Sequence, residues 1–178
     1  MELYVPDGTS STDRESALVD AISALSRVLV GVTARTLAGL DVEVTLPQYR
    51  TLVLLASRGP LRTVDLAAAL DVHPSTVTRT CDRLVRRGLV GRHQGTVDRR
   101  VVWLGLTEEG RDLVGTVMRR RGEHVLDLVR AAGVTADDAT LELIDVLVTA
   151  SGEPTEQEWW RHWDRCGDVE NARAAGGS

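Results

Sequence analysis

Two short helical segments separated by only three residues are the feature of this sequence that most restricts its fold. The first runs from Thr63 to Leu70, and Pro74 begins the second, which extends to Arg87 and is closed by Gly88. Proline suits the first position of a helix because its missing N–H would be unpaired there, and glycine suits the position just past the end. Helices joined by so tight a connection are typical of a helix-turn-helix, so the sequence predicts this motif at its centre.

The second helix of this motif has an apolar stripe and a polar face. At 3.6 residues per turn, the stripe consists of Val77, Cys81, Leu84 and Val85, which we expect to face the core. The opposite face consists of Ser75, Thr76, Thr78, Arg79, Asp82 and Arg83. Small hydroxyl groups permit close approach to DNA, arginine can bind guanine with two hydrogen bonds, and a helix N-terminus favours phosphate. This face is therefore predicted to enter a major groove.

A change of period after residue 88 predicts a β-hairpin. Apolar side chains alternate over residues 102–106, residues 89–92 supply the partner strand, and residues 94–98 form the turn. Arginine at such a tip can enter an adjacent minor groove, whose negative potential attracts guanidinium groups. Asp98 would repel phosphate, so we expect it to accept a hydrogen bond from Arg100 and fix the direction of that side chain.

The charge distribution supports contact with nucleic acid at this part of the chain only. The net charge is −5, but residues 62–100 carry 8 Arg against 4 Asp, a net +4. The flanking segments are acidic, with −2 over residues 1–61 and −7 over residues 101–178. A local positive field matters more for phosphate contact than the total charge does. We therefore expect DNA to meet one face of the protein.

Capping signals and apolar spacing predict further helices on both sides of this centre. A Ser or Thr oxygen with an acid or amide in the following turn satisfies unpaired backbone N–H groups at a helix start. The predicted starts are Thr12, Thr45, Thr63, Thr107, Thr135 and Thr155. One face of the long first helix carries Leu18, Ala21, Ile22, Leu25, Val28, Leu29 and Val32. The predicted fold class is mainly α with a small β-hairpin wing.

In their order and spacing these pieces resemble the MarR family of bacterial transcription regulators over roughly residues 13–150. The segments that carry the resemblance are Leu66-Ala67-Ala68-Ala69-Leu70, Ser75-Thr76-Val77-Thr78-Arg79, Asp82-Arg83-Leu84-Val85-Arg86-Arg87-Gly88-Leu89-Val90, Asp98-Arg99-Arg100 and Leu106-Thr107-Glu108-Glu109-Gly110. The resemblance implies a homodimer with intertwined N- and C-terminal helices and two winged helix-turn-helix lobes on a pseudo-palindromic operator, with repression as the expected outcome.

The resemblance also implies roles for particular residues. Ser75, Thr76, Thr78 and Arg79 match the base-contacting positions, and Asp98 and Arg100 match the wing motif. The full predicted DNA-binding set is Thr63, His73, Pro74, Ser75, Thr76, Thr78, Arg79, Arg83, Arg92, Asp98, Arg99 and Arg100. Many relatives release DNA when a small aromatic or lipophilic anion binds between the dimer helices and the DNA lobe. The candidates for such a site here are Tyr49, Arg50 and His124.

The predicted organisation has five parts and no cofactor. They are a flexible arm (1–11), an N-terminal dimerisation helix (12–44), the DNA-binding lobe (45–106), C-terminal dimerisation helices (107–152), and an extra tryptophan-containing helix with a disordered tail (153–178). We expect a cytoplasmic protein, because cysteines are few, no signal peptide is evident, and no stretch approaches the roughly 20 apolar residues that cross a bilayer. The first helix lacks the cysteine of peroxide sensors, and the ligands of zinc-responsive members are not assembled, so no metal is expected.

Rival functions remain open at this point. An enzyme is not expected, because the chain has no glycine-rich phosphate loop, paired-carboxylate pattern or metal cluster. The alternatives are a winged-helix module that binds a protein partner and a thiol-based redox regulator that uses Cys81. The apolar position of Cys81 favours a buried residue without redox chemistry.

Three smaller features also have more than one interpretation. Trp159, Trp160 and Trp163 are expected to pack against the dimer, with a partner surface or a lid over the effector pocket as alternatives. The run Arg119–Arg121 is expected to be a solvated helix face rather than a second DNA contact. His162 and Cys166 are spaced to share a metal, but two ligands do not make a closed site.

Overall fold

The computed structural model describes residues 11–94, 101–161 and 163. Its helices and strands follow in the order α1 (Ser11–Ala38), α2 (Leu46–Arg58), β1 (Leu61–Arg62), α3 (Thr63–Leu70), α4 (Pro74–Arg86), β2 (Val90–Gln94), β3 (Val102–Leu106), α5 (Glu108–Ala132) and α6 (Asp138–Ala150). A further helical stretch lies at residues 156–161. We call residues 153–161 and 163 the tryptophan segment. The predicted fold class, mainly α with a β-hairpin wing, is confirmed.

Side-chain caps at several helix starts confirm the predictions made from sequence. Thr107 Oγ1 accepts a hydrogen bond from the Gly110 N–H at 3.1 Å at the start of α5. In the tryptophan segment the pattern is reciprocal, because the Thr155 N–H donates to Glu158 Oε2 at 3.0 Å and the Glu158 N–H donates to Thr155 Oγ1 at 3.3 Å. These bonds satisfy backbone groups that have no partner within the helix. These two helix starts are therefore encoded locally.

Three predicted starts are wrong by one or two residues. α1 already includes Ser11, so Thr12 lies inside the helix, and α3 is capped by Arg62 rather than Thr63. Arg62 is extended because it pairs with β3, which leaves Thr63 as the first helical residue. α6 is capped by Asp137 instead of Thr135, since the Asp137 carboxylate accepts the Thr140 N–H at 2.9 Å. At α3 a tertiary contact displaced the expected cap, and at α6 a residue closer to the helix did so.

The wing is a three-stranded antiparallel sheet in the order β1-β3-β2. The predicted hairpin partners are present, with Val90 opposite Leu106 and His93 opposite Trp103. β1 was not predicted, because two residues carry no periodic signal. It places Leu61 opposite Leu104 and so joins the end of α2 to the wing. Gln94, predicted to begin the turn, instead pairs with Val102 at the end of β2. The other predicted turn residues, from Gly95 to Asp98, lie outside the described residues, as do Arg99 and Arg100.

The lobe has one core to which nearly every element of the centre contributes. Leu52 of α2, Leu66 of α3, Leu84 of α4 and Val114 of α5 are completely buried, and Leu104 of β3 is 2% exposed. Burying one such side chain stabilises the fold by roughly 1.5–3 kcal/mol. The core therefore fixes α4 and the wing relative to each other, which positions the polar face of α4.

The helices outside the lobe leave their apolar faces uncovered. α6 has no buried residue, and the buried residues of α1 are confined to its last two turns. The exposed apolar side chains on these helices and on the second half of α5 include Leu18, Ile22, Leu25, Val28, Leu126, Leu128, Val129, Leu141, Ile144 and Leu147. By length and composition α1 could also span a membrane, so the expectation that no stretch approaches that size is wrong for α1. Core helices of soluble proteins meet the same criterion.

Gly110 provides a test of how closely α5 packs on the wing. A Cβ at this position would overlap the Leu89 carbonyl oxygen and lie 2.9 Å from its carbon. The backbone at Leu89 cannot give way without disturbing the start of β2. We expect Gly110→Ala to lower the free energy of unfolding by at least about 2 kcal/mol, the usual range for overpacking. Urea denaturation followed by circular dichroism measures the change.

Gly122→Ala is the matched control, because Gly122 lies in the same helix and an added Cβ would meet no heavy atom within 4 Å there. At this position alanine should stabilise the protein by about 0.5–1 kcal/mol through helix propensity alone. Equal effects of the two substitutions would contradict the proposed close approach at Gly110.

Candidate nucleic-acid interface

The second helix of the helix-turn-helix is amphipathic as predicted. Val77 and Cys81 are 1% exposed and Leu84 is completely buried. The turn before the helix uses Asp71 with φ 52°, a left-handed conformation that Asp tolerates better than most residues. The polar side is exposed at Ser75, Thr76, Thr78, Arg79 and Arg83. The packing of α4 therefore leaves one continuous polar face open to a ligand.

The start of α4 is organised by His73, its N-cap. His73 Nδ1 accepts the Ser75 N–H at 3.3 Å and lies 2.9 Å from Ser75 Oγ. In the neutral ring this acceptor role at Nδ1 leaves the proton on Nε2. Thr78 Oγ1 donates to the Pro74 carbonyl at 3.0 Å, and Arg79 Nε donates to the Ser75 carbonyl at 3.3 Å. The predicted contact residues Ser75, Thr78 and Arg79 therefore share one hydrogen-bonded turn.

Two acids in this basic region, Asp65 and Asp82, are paired with arginine. Arg62 binds Asp65 with two hydrogen bonds, 2.7 Å from Nε and 2.8 Å from Nη2, and this pairing lowers the pKa of Asp65. Arg92 of β2 forms an ion pair with Asp82 of α4. Each pair neutralises a carboxylate that would otherwise repel phosphate. The Asp82 pair also ties α4 to the wing and fixes Arg92, one of the predicted DNA contacts.

Other arginines in the region differ in what holds them. Arg87 donates to the Glu43 carbonyl and to Gln48 Oε1, the latter at 3.2 Å, so it joins the end of α4 to the start of α2. Within the described part of the chain, Arg79 and Arg83 form no ion pair. Their charges therefore stay available on the exposed face of α4.

The remaining predicted DNA contacts fall into two groups. Thr63 is half-buried at the start of α3, and Pro74 is exposed at the start of α4. Asp98, Arg99 and Arg100 lie outside the described residues, so their predicted roles at the wing stay predictions. The structure thus brings α4 and the base of the wing together.

The three effector candidates have different environments. Tyr49 is 4% exposed, and its hydroxyl has no hydrogen-bond partner among the described residues. Burial raises the pKa of Tyr49 to about 12, while the Arg121 charge opposes the shift and Glu156 adds to it. Arg50 forms an ion pair with Glu153. Tyr49 and Arg50 thus both lie near the tryptophan segment, whereas His124 Nδ1 lies 3.5 Å from Thr36 Oγ1 of α1.

The sequence did not predict which helices the tryptophan segment contacts. The guanidinium carbon of Arg111 in α5 is 4.4 Å from the centre of the Trp163 ring, and Arg111 also donates to the Trp163 carbonyl. Trp159 belongs to the core and is 5% exposed. The indoles pack within their own chain, with α5 as their support. The expected packing against a dimer partner stays a prediction. Gly115 within α5 was the available signal, because a helix interior without a side chain admits a close neighbour.

The described residues give little support for a metal site or for a reactive thiol. Among residues 11–94, 101–161 and 163, no group of three or more His, Cys, Asp or Glu side chains could hold a metal ion. His162 and Cys166 lie outside this part of the chain. Burial raises the pKa of Cys81 to about 11, with opposing effects from the Arg92 and Asp82 charges. Cys81 is therefore a neutral, buried thiol at neutral pH.

Comparison with known proteins finds transcription regulators. The MarR family model matches residues 44–102. The chain is 30% identical to the transcriptional regulator AdcR of Streptococcus pyogenes over 116 residues, 65% of this chain and 78% of that protein. It is 42% identical over 67 residues to the repressor MdtR of Bacillus subtilis, 38% of this chain. The chain spans less than half the length of MdtR and of a second Bacillus subtilis regulator, 43% and 47%.

A solved structure extends the similarity beyond the lobe. The crystal structure of RV1404 from Mycobacterium tuberculosis is similar with a TM-score of 0.72 and 33% identity. The alignment covers 84% of this chain and 99% of that one. The likeness therefore includes the long helices that flank the lobe.

The burial of Cys81 makes a prediction about its reactivity. The thiolate is the form that reacts with iodoacetamide, and a pKa near 11 leaves almost none of it at pH 8. We expect Cys81 to stay unmodified in the folded protein at pH 8 and to react fully in guanidinium chloride, as measured by peptide mass mapping. Because the folded pKa lies above the ordinary value of 9.0, this group's contribution to stability is lost as the pH rises from about 9 through about 11. Rapid modification at pH 8 would revive the redox alternative.

Proposed function

Because the chain belongs to the MarR family of DNA-binding transcriptional regulators, we propose that it is a homodimeric repressor that a small-molecule effector releases from its operator. The family consists of regulators rather than enzymes. The observation that carries the proposal is the exposed polar face of α4, where Arg79 and Arg83 have no ion-pair partner among the described residues. Two acids close to this face, Asp65 and Asp82, are already paired with arginine. This combination favours phosphate and base contact.

The proposed docking places α4 in a major groove. Arg79 can bind a guanine edge with two hydrogen bonds, while Ser75 and Thr76 at the helix start approach base edges and phosphates. Arg100 at the wing is proposed to enter the flanking minor groove. In a two-fold dimer the half-sites are then about one helical turn of DNA apart. A repressing role is supported by the name of MdtR and by steric exclusion of polymerase from a site so covered.

Homodimerisation is supported by the uncovered apolar faces of α1, α5 and α6. Large contiguous apolar surfaces on a soluble protein mark interaction sites. A membrane would cover α1 but leave α6 unexplained, because its 13 residues are too few to span a bilayer that needs about 20. A second copy of the chain covers both helices at once. We also propose a cytoplasmic location, because a transcription regulator must reach the chromosome.

Effector release is supported by the surroundings of Tyr49 and Arg50. A buried hydroxyl with no partner among the described residues and a nearby guanidinium suit a small aromatic or lipophilic anion. Both residues lie on α2, which contributes Leu52 to the same core as α4. A ligand that shifts α2 therefore shifts the support of the DNA-binding helix. His124, which contacts α1, is the third proposed member of this site.

The proposal predicts salt-dependent binding that weakens when Arg79 is removed. The purified protein is titrated against its own upstream intergenic DNA at several salt concentrations, with unrelated DNA as competitor. We expect tight, competitor-resistant binding that falls steeply with salt because counterions are released. Arg79→Ala should cost about 1–3 kcal/mol if Arg79 contacts a base.

Arg130→Ala is the charge-matched control, because Arg130 lies exposed in the last turn of α5, at the end away from the lobe. It should leave operator affinity nearly unchanged. Weak binding that is equal on both DNAs would reject the operator-binding proposal for this DNA and favour a protein-interaction module. In the same assay Arg100→Ala tests the wing, and unchanged affinity in that variant would remove the minor-groove contact.

A second prediction concerns assembly. Ile144 on α6 is 51% exposed, and Ile144→Asp would place a charge in the proposed interface. We expect the variant to sediment as a monomer in analytical ultracentrifugation, because burying an unpaired carboxylate is strongly unfavourable. Val64→Asp is the control, since Val64 is 56% exposed on α3 within the lobe. Dimers of both variants, or a monomeric unmodified protein, would reject the interface.

A further inference from the structure

The tryptophan segment is held on α2 and α5 by three different kinds of contact. Glu153 forms an ion pair with Arg50 of α2. Trp159 is 5% exposed and belongs to the core. Arg111 of α5 lies over the Trp163 ring and also donates to the Trp163 carbonyl. The tryptophan segment is therefore packed against both α2 and α5 in the folded protein.

α5 is shaped to receive this segment. Gly115 is the eighth of the 25 residues of α5 and is buried. A Cβ at this position would lie 3.2 Å from Cζ2 of Trp163, closer than most real contacts. Glycine weakens a helix interior, so its presence here is explained by the approach of the indole. The helix and the segment thus fit each other at a position where no side chain intervenes.

The indoles of the segment form one ordered cluster. Trp159 and Trp163 stack with ring centres 5.2 Å apart, and Trp160 meets Trp159 edge-on at 5.0 Å. Trp160 Nε1 donates to Glu156 Oε1 at 3.0 Å, which holds the outer ring in place. A preorganised aromatic surface loses little conformational entropy when it docks. The segment can therefore act as a unit.

The segment presents the same chemical groups as the proposed effector. Its Glu153 supplies a carboxylate to Arg50, and its Trp159 supplies a buried aromatic ring. Two buried polar groups in this region have no hydrogen-bond partner among the described residues, namely the Tyr49 hydroxyl and Trp159 Nε1. An aromatic anion offers a carboxylate, a ring and hydrogen-bond acceptors in one molecule.

We propose that the tryptophan segment is an internal occupant of the effector site, which an aromatic anion must displace from α2 and α5 in order to bind. The proposal rests on the effector-release part of the proposed function. The segment raises the anion concentration needed for binding, because the apparent affinity is the intrinsic affinity multiplied by the fraction of molecules in which the site is open. It also couples the anion to the segment reciprocally, so each weakens the binding of the other.

The test uses the full chain and 2-naphthoate as the aromatic carboxylate, titrated by calorimetry. Glu153→Gln frees Arg50 and should tighten binding about two- to fivefold, the usual effect of an exposed ion pair. Gly115→Leu crowds Trp163 out of its place and should tighten binding about tenfold or more, because the open fraction rises. A thermal melt verifies that each variant is folded, and the exposed position of Glu153 makes its variant independent of core packing.

Two matched controls isolate the segment. Glu109→Gln removes the same charge at an exposed position in the first turn of α5, and Gly122→Leu adds the same side chain to α5 where a Cβ meets no atom within 4 Å. Both should bind 2-naphthoate within about twofold of the unmodified protein, since neither affects the open fraction. Hydrogen–deuterium exchange of residues 153–161 should rise in the unmodified protein when 2-naphthoate is added.

Equal affinity in all chains, no binding in any chain, or unchanged exchange at saturation would each overturn the proposal. The proposed function fails differently. If the variants bind 2-naphthoate more tightly but keep their operator affinity in its presence, effector release is rejected and the internal occupant stands. If no chain binds the operator, the DNA-binding proposal is rejected, and the calorimetric result is unaffected.

Discussion

The burial of one stripe of α4 is the constraint on which the rest of the interface depends. Val77, Cys81 and Leu84 are at most 1% exposed, and they pack in the same core as Leu66 and Leu104. Successive residues of a helix are separated by about 100°, so rotating α4 to turn a different face outward would expose this stripe. The polar face is thus held by hydrophobic packing rather than by contact with DNA. The protein can present it before any ligand arrives.

Ion pairs further define the interface that hydrophobic packing has positioned. Asp65 and Asp82 lie inside the basic region, yet each holds an arginine, Arg62 and Arg92 respectively. Such exposed pairs contribute little to stability, on the order of 0–1 kcal/mol. Instead, they restrict the conformations of the long arginine side chains and reduce the repulsion between the carboxylates and DNA phosphate. The remaining arginine charges on α4 then dominate the local field.

The features that sequence predicted are the local ones. The stripe through Cys81 follows from the 3.6-residue period, and the cap at Thr107 follows from neighbours within one turn. The cap expected at Thr63 failed because Arg62 pairs with β3, a contact between residues far apart in the chain. The support of Trp163 by Gly115 was missed for the same reason. Periodicity carries no information about which distant surfaces meet.

The absence of a side chain at Gly110 has a mechanical consequence. Because backbone meets backbone there, the first turn of α5 and the residue before β2 move as one body. α5 has 25 residues and is therefore about 37 Å long, so a rotation about its first turn beside the wing produces a large displacement at its other end. A tilt of α5 by about 5° about its first turn moves the far end by about 3 Å at this helix length. In the proposed dimer, small rearrangements at the far end of α5 would reach the wing as a rotation of this helix.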